Sequence, residues 1–156
     1  MAIFLTLALL FCAVSDFLQR KVRNVALVLI MAVVGSAYLL QSLGWFTPEL
    51  YTSWSAGSLG FAVAFIASYI AWRFKIIGGG DVKLLAVLGF CFGLFALGPI
   101  VLIGTLLTGA HALVLYVLRR YQADFGFMIA RLPASVPYGG WLAISAIGWM
   151  QWTISQ

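Results

Sequence analysis

Residues 82–118 read VKLLAVLGFCFGLFALGPIVLIGTLLTGAHALVLYVL, and this stretch decides the fold class. From residue 84 to residue 118 it contains no Asp, Glu, Lys or Arg. A helix that crosses a bilayer needs about 20 apolar residues, with a range of roughly 17–25. The stretch is long enough for two crossings, and Gly98 and Pro99 mark a break between them. It therefore predicts transmembrane helices at about 82–97 and 100–118.

The rest of the chain shows the same pattern. Further apolar runs of similar length lie at about 1–18, 25–43, 54–72 and 137–154. Long continuous runs are typical of helices, whereas membrane β-barrels alternate apolar and polar residues. The chain is 64% hydrophobic and 8% charged, with a mean hydropathy of +1.09, against about 25% charged residues in a soluble domain. We therefore predict an all-α polytopic membrane protein, a bundle of about six transmembrane helices in a single domain, 1–156.

The basic residues predict how this bundle faces. With six spans, all nine Lys and Arg residues fall on one side of the membrane: Arg20, Lys21, Arg23, Arg73, Lys75, Lys83, Arg119, Arg120 and Arg131. Because cytoplasmic loops carry an excess of Lys and Arg, this side is predicted to be cytoplasmic and both termini to lie outside. The net charge of +5 then suits anionic lipid, and nucleic-acid binding is not expected. The first residues, MAIFLTLALLF, lack a basic segment, which favours a retained helix over a signal peptide.

Only four acidic residues occur in the chain. Glu49 lies in a predicted outer loop and Asp124 in the long inner loop 119–136, and both are expected to be solvated. Asp16 lies at the inner end of the first span, and Asp81 at the inner start of the fourth. Ionisable groups at the membrane are costly and usually functional. If the two spans are neighbours, the two carboxylates converge at the cytoplasmic interface.

Such a pair suits peptide-bond hydrolysis. Two carboxylates at close range do not both ionise easily, so they share one proton. The ionised member can take a proton from water while the protonated member polarises the scissile carbonyl, and neither a metal nor a cofactor is required. Gly78, Gly79 and Gly80 permit backbone conformations closed to other residues and let a substrate strand come close, and Asp81 can then cap the fourth helix. Taken alone, GGGD also fits an ordinary capped turn.

Other polar positions carry weaker predictions. Asn24 is expected to cap the second span, and Lys83 to raise the local positive potential or to bind lipid headgroups. His111 has no second His, Cys or acid at ligand spacing, so we expect a helix–helix hydrogen-bond donor rather than a metal ligand. Cys12 and Cys91 lie in apolar runs without CxxC spacing, which favours packing residues over a zinc site.

In combination, these segments resemble the type IV prepilin peptidase family of GxGD intramembrane aspartic peptidases. DFLQRKVRN at 16–24 resembles its first motif, an aspartate, a basic cluster and an asparagine, with Arg23 where a proline is common. GGGDVKLL at 78–85 is similar to its second motif. VPYGGWLA at 136–143, followed by Gly148, resembles its last helix. The resemblance covers nearly the whole chain.

This resemblance implies an aspartic endopeptidase of the prokaryotic cell (inner) membrane. Its implied partners are type IV prepilins or pseudopilins, whose leader peptide it would cleave at the cytoplasmic face with Asp16 and Asp81. Residues 78–80, Lys83 and Asn24 fall in the same motifs and are the expected positioning residues. Bifunctional family members carry a region with paired CxxC motifs and also N-methylate the product. This sequence lacks such motifs and looks closer to the short forms of tight-adherence (Flp) pilus systems. The resemblance therefore does not imply N-methyltransferase activity for this chain.

Two other classes of function stay open on the residues alone. A small proton-coupled transporter also carries membrane carboxylates, but transporters usually place them near the midplane and show internal repeats. A non-catalytic scaffold of a pilus or secretion system would tolerate a change such as Asp81→Asn. The position of both aspartates at one edge favours the peptidase.

Overall fold

A computed structural model describes residues 2–44, 52–120 and 136–156. Five helices account for these residues: α1 (Ala2–Gln19), α2 (Asn24–Ser42), α3 (Trp54–Arg73), α4 (Gly79–Arg120) and α5 (Tyr138–Ile154). The described part of the chain contains no β-strand, so the all-α prediction is confirmed. Glu49, Asp124, Arg131 and most of the loop 119–136 lie outside the described residues.

The helices have the length and the surface of membrane spans. Within the described ranges, α1 to α4 are long and apolar enough to cross a membrane, and α5 has 17 residues, the lower end of the spanning range. Large apolar side chains point outward, for example Ile3 at 78%, Phe95 at 96% and Leu106 at 64% exposure. Water would disfavour such a surface by about 25 cal/mol per Å². The prediction of a multi-pass membrane protein is confirmed.

The predicted fourth and fifth spans both lie within α4, a single long helix with one break. The interruption lies at Gly93, where φ is 75° and ψ is 174°, rather than at Gly98 and Pro99. Asp81 and Thr105 line one cavity, although a straight helix would separate them by about 36 Å. The chain therefore turns back near Gly93, and α4 consists of a first arm, 79–92, and a second arm, 94–120. These two arms occupy the places of the two predicted spans.

Helix α3 packs against the first arm through glycines. A Cβ atom added to Gly60 would overlap the carbonyl group of Gly89, and one added to Gly89 would overlap that of Gly60. A Cβ on Gly57 would lie 2.7 Å from the carbonyl oxygen of Phe90. The Tyr38 hydroxyl of α2 donates a hydrogen bond to the same oxygen at 3.2 Å. Small residues at such contacts are expected in lipid, where helices associate by close packing and hydrogen bonding.

The first arm is the centre of the bundle. Its residues from Leu84 to Phe92 are buried, and they include Cys91, which packs in the core together with Cys12 of α1. Helix α5 packs against both α1 and α4. This arrangement brings the end of α1 together with the beginnings of α4 and α5.

Candidate functional site

Three helix ends meet at the candidate site. Asp16 lies in the last turn of α1, Asp81 in the first turn of α4, and Gly139 and Gly140 in the first turn of α5. Helix α1 therefore ends at the level at which the other two begin. Asp16 and Asp81, which are far apart in the sequence, therefore lie at the same end of the helix bundle, as the pattern of spans predicted.

Gly139 gives the distance between the two carboxylates. A Cβ atom added there would lie 2.9 Å from Oδ1 of Asp81 and 3.3 Å from Oδ2 of Asp16. Two atoms this close to one point are separated by at most about 6 Å. A single water molecule can contact both oxygens across such a gap. The structure thus brings the two predicted aspartates together.

Each carboxylate is held by a backbone N–H group. Asp16 is 7% exposed, and the N–H of Gly140 donates to its Oδ2 at 2.7 Å. The N–H of Gly78 donates to Oδ2 of Asp81 at 3.2 Å. Hydrogen bonds to backbone groups fix the direction of a carboxylate. One side chain is therefore oriented by α5 and the other by its own glycine turn.

The glycine turn works differently from the prediction. Helix α4 begins at Gly79, and the side chain of Asp81 reaches back to the N–H of Gly78, in the manner of the third residue of a capping box. Asp81 is thus not the cap residue itself. Among the described glycines only Gly44 and Gly93 have positive φ, so residues 78–80 do not use the wider range of backbone conformations that glycine permits. At Gly78 the reason for glycine is space, because a Cβ would lie 3.1 Å from Oδ2 of Asp81.

Asn24 departs from its predicted role as the cap of α2. The residue before α2 is Arg23, and it makes no capping bond through its side chain. Asn24 is the first helical residue, and its Oδ1 accepts a hydrogen bond from Nζ of Lys83 at 3.1 Å. The Asn24 amide therefore joins α2 to the first arm of α4 instead of capping α2.

A polar cavity of about 400 Å³ contains both aspartates. Its other lining residues are Arg20, Lys21, Val22, Asn24, Gly78, Gly79, Gly80 and Lys83. All the residues predicted to act in catalysis or substrate positioning therefore surround one cavity. Its cationic side chains give the space around the carboxylates a positive potential.

A second cavity of about 530 Å³ also borders Asp81. Its wall is mainly apolar: Ile76, Ile77, Gly78, Thr105, Thr108, Gly109, Ala112, Val136 and Tyr138. Asp81 and Gly78 belong to both cavities. Asp81 therefore stands between a charged space and an apolar space.

Two further residues contribute to the site without having been predicted. Gly139 leaves room between the carboxylates, and Gly140 supplies the N–H that holds Asp16. Both lie in the segment that resembles the last family helix. A glycine pair at the predicted cytoplasmic start of the sixth span was the available signal, since it lies at the depth of both aspartates.

His111 forms a helix–helix hydrogen bond, as expected, but as the acceptor. Nε1 of Trp141 in α5 donates to Nδ1 of His111 in the second arm of α4, at 3.0 Å. The predicted link between helices is therefore present with the direction of the bond reversed.

The fold and the site define a class of protein, a helical multi-pass membrane protein with paired aspartates at one end of its bundle. The family model described as type IV leader peptidase matches residues 3–113. This match includes Asp16 and Asp81, and the chain belongs to the type IV leader peptidase family.

A relative supports the same family. The prepilin leader peptidase/N-methyltransferase of Bacillus subtilis (strain 168) is 33% identical over 128 residues, which are 78% of this chain and 48% of that protein. The chain thus spans about half the length of this curated relative. No solved structure matches the chain.

Proposed function

We propose that the chain is an aspartic endopeptidase that cleaves the leader peptide from type IV prepilins or pseudopilins. Asp16 and Asp81 would be the catalytic pair, at the cytoplasmic face of a prokaryotic cell membrane. The observation that carries the proposal is the separation of the two carboxylates, at most about 6 Å, in a cavity at one end of the bundle. Family membership supplies the class of substrate.

The chemistry uses one water molecule and the one proton that the pair shares. The ionised carboxylate removes a proton from the water as its oxygen attacks the scissile carbonyl carbon, while the protonated carboxylic acid donates its proton to the carbonyl oxygen. The resulting gem-diol then collapses. The C–N bond breaks, one diol proton returns to the carboxylate that gave its own, and the proton taken from water moves to the leaving amine nitrogen. Both aspartates then have the protonation states with which the reaction began.

The surroundings of the pair suit a substrate that comes partly from the membrane. The apolar cavity next to Asp81 can take a hydrophobic segment, and the polar cavity that contains both aspartates can take the peptide backbone. Arg20, Lys21 and Lys83 around the polar cavity support a cytoplasmic position, because cytoplasmic segments are enriched in basic residues.

The test is leader release from a purified type IV prepilin by the detergent-solubilised chain. Asp16→Asn and Asp81→Asn keep the side-chain shape and remove the acid–base function, so each should lower the rate by about 10²–10⁴-fold. Ser68→Ala is a matched control, because the Ser68 hydroxyl is buried and bonds only to carbonyls of its own helix. The control should cleave like the wild type. Full activity of either Asn variant would overturn the proposal.

A further inference from the structure

His111 is an ionisable residue on an apolar helix arm. Such residues are costly in lipid and usually serve a function. The imidazole lines neither of the two cavities that contain Asp81. It faces α5 instead, where Trp141 donates a hydrogen bond to its Nδ1 at 3.0 Å. Any effect of His111 on the aspartates must therefore pass through Trp141 or another neighbour.

Trp141 directly follows the residue that holds Asp16. The N–H of Gly140 donates to Oδ2 of Asp16 at 2.7 Å, and the indole of the next residue is anchored by His111. The His111 bond therefore restrains the first turn of α5 one residue away from the N–H that orients the carboxylate.

Phe17, which directly follows Asp16, completes the arrangement. Its ring packs edge-to-face on Trp141, with the centroids 5.4 Å apart, and lies nearly parallel to the His111 ring at 6.5 Å. A Cβ on Gly140 would lie 2.7 Å from Cε2 of Phe17, so this ring packs directly on the Gly140 backbone. His111, Trp141 and Phe17 form one cluster beside the Asp16–Gly140 hydrogen bond, and we call it the anchor cluster.

We propose that His111 is a positioning residue for Asp16. Through the anchor cluster it fixes the Gly140 N–H relative to the carboxylate, and so keeps Asp16 in register with Asp81. The inference rests on the proposed peptidase function and adds a third residue to it, from the second arm of α4. A displacement of about 1 Å in a catalytic group can cost about 10²-fold in rate, so the loss of this anchor should be measurable in kcat.

The kinetic test compares His111→Leu with His111→Asn. Leucine cannot accept the Trp141 hydrogen bond, whereas the amide oxygen of asparagine can. We expect His111→Leu to lower kcat by about 10-fold to 100-fold with KM within about twofold of wild type, and His111→Asn to restore most of kcat. Tyr38→Phe is the control, since it removes a different buried helix–helix hydrogen bond, to the Phe90 carbonyl. It should leave kcat unchanged.

A spectroscopic test reads the cluster without substrate. In ¹⁵N-labelled protein, His111→Leu should shift the Gly140 amide and the Trp141 indole N–H signals, and Tyr38→Phe should move neither. If His111→Leu does not fold, Trp141→Phe keeps an aromatic ring beside Phe17, removes the donor, and should shift the Gly140 amide in the same direction.

The outcomes separate the two proposals. Failure of wild type to release a leader, or full activity of Asp16→Asn, would refute the peptidase function. The Gly140 amide shift would still decide whether His111 controls the position of the N–H group that binds Asp16. An active peptidase whose His111→Leu variant keeps its kcat would refute the positioning role alone. Equal losses in the Leu and Asn variants, or an unmoved Gly140 amide, would also refute it.

Discussion

The gap between the carboxylates can be closed with one methyl group. In Gly139→Ala the new Cβ would lie 2.9 Å from Oδ1 of Asp81, 3.0 Å from Cγ2 of Val22 and 3.3 Å from Oδ2 of Asp16. The first two distances are shorter than ordinary contacts of carbon atoms, so Asp81 or α5 must shift by several tenths of an ångström. Such a shift changes the separation of the two carboxylates, which a bridging water molecule has to span.

We therefore expect Gly139→Ala to lower the single-turnover rate of leader release by about 10²-fold or more, because a displacement of this order misplaces both the water and one carboxylate. Gly139 does not have positive φ, so the backbone accepts alanine. Helix propensity favours alanine by about 1 kcal/mol, which offsets part of the crowding. The fold should survive while the chemistry fails.

Gly148→Ala is the matched control. It adds the same methyl group to the same helix, at a position where a Cβ would meet nothing within 4 Å. Its rate should equal that of wild type, and its thermal unfolding temperature should be equal or higher. A Gly139→Ala enzyme within threefold of wild type would show that the space between the aspartates is not where the reaction occurs.

Three further predictions follow from the helix breaks, the shared proton and the helix contacts. Gly93→Ala should destabilise the fold by about 1–3 kcal/mol, because φ is 75° there, whereas Gly98→Ala, with nothing within 4 Å of its Cβ, should not; thermal unfolding in detergent compares them. The dependence of kcat/KM on pH should be bell-shaped, because the pair must hold one proton and fails when it holds two or none; a rate that stays flat from acid to alkaline pH would contradict this. Gly60→Ala should prevent or loosen the contact of α3 with α4, since its Cβ would overlap the Gly89 carbonyl. Gly35→Ala in α2 is the control, because its Cβ would have no atom within 4 Å. The yield of monodisperse protein compares the two variants.

The lengths of the helices were predictable because lipid sets them. The span predicted at 25–43 differs from α2 by one residue at each end. The span predicted at 54–72 ends one residue before α3 does, and the span predicted at 137–154 begins one residue before α5. In each case a charged or polar residue, or a proline, limits the apolar run. The membrane thickness and the position of charges act locally along the chain, so a single sequence reports them.

The break in α4 was not predictable in this way. Gly98 and Pro99 are the stronger local signal, but Pro99 lies inside the second arm as its sixth residue, and the helix continues past it. The chain instead turns at Gly93, where a Cβ would lie 2.9 Å from Oγ1 of Thr52. Close packing on the segment before α3 selects this glycine, and such packing leaves no periodic trace in the sequence.

The same distinction, between features set by the membrane and features set by tertiary packing, applies to the residues of the site. Asp16 and Asp81 could be paired because each ends or begins a span at one membrane boundary. Gly140, in contrast, contacts Asp16 across 124 positions of sequence, and the Asn24 amide is taken by Lys83 across 59. Local capping rules predicted a role for Asn24 in its own helix, and a distant tertiary partner prevailed.

The most direct measurement is the rate of leader release by Asp16→Asn, Asp81→Asn and the double variant, each compared with wild type under single-turnover conditions. If the two carboxylates work as one acid–base unit, each single change abolishes the mechanism, and the double variant is no slower than the slower single variant. Losses that are modest in each single variant and multiply in the double variant would mean that the aspartates act independently, and would contradict the paired mechanism.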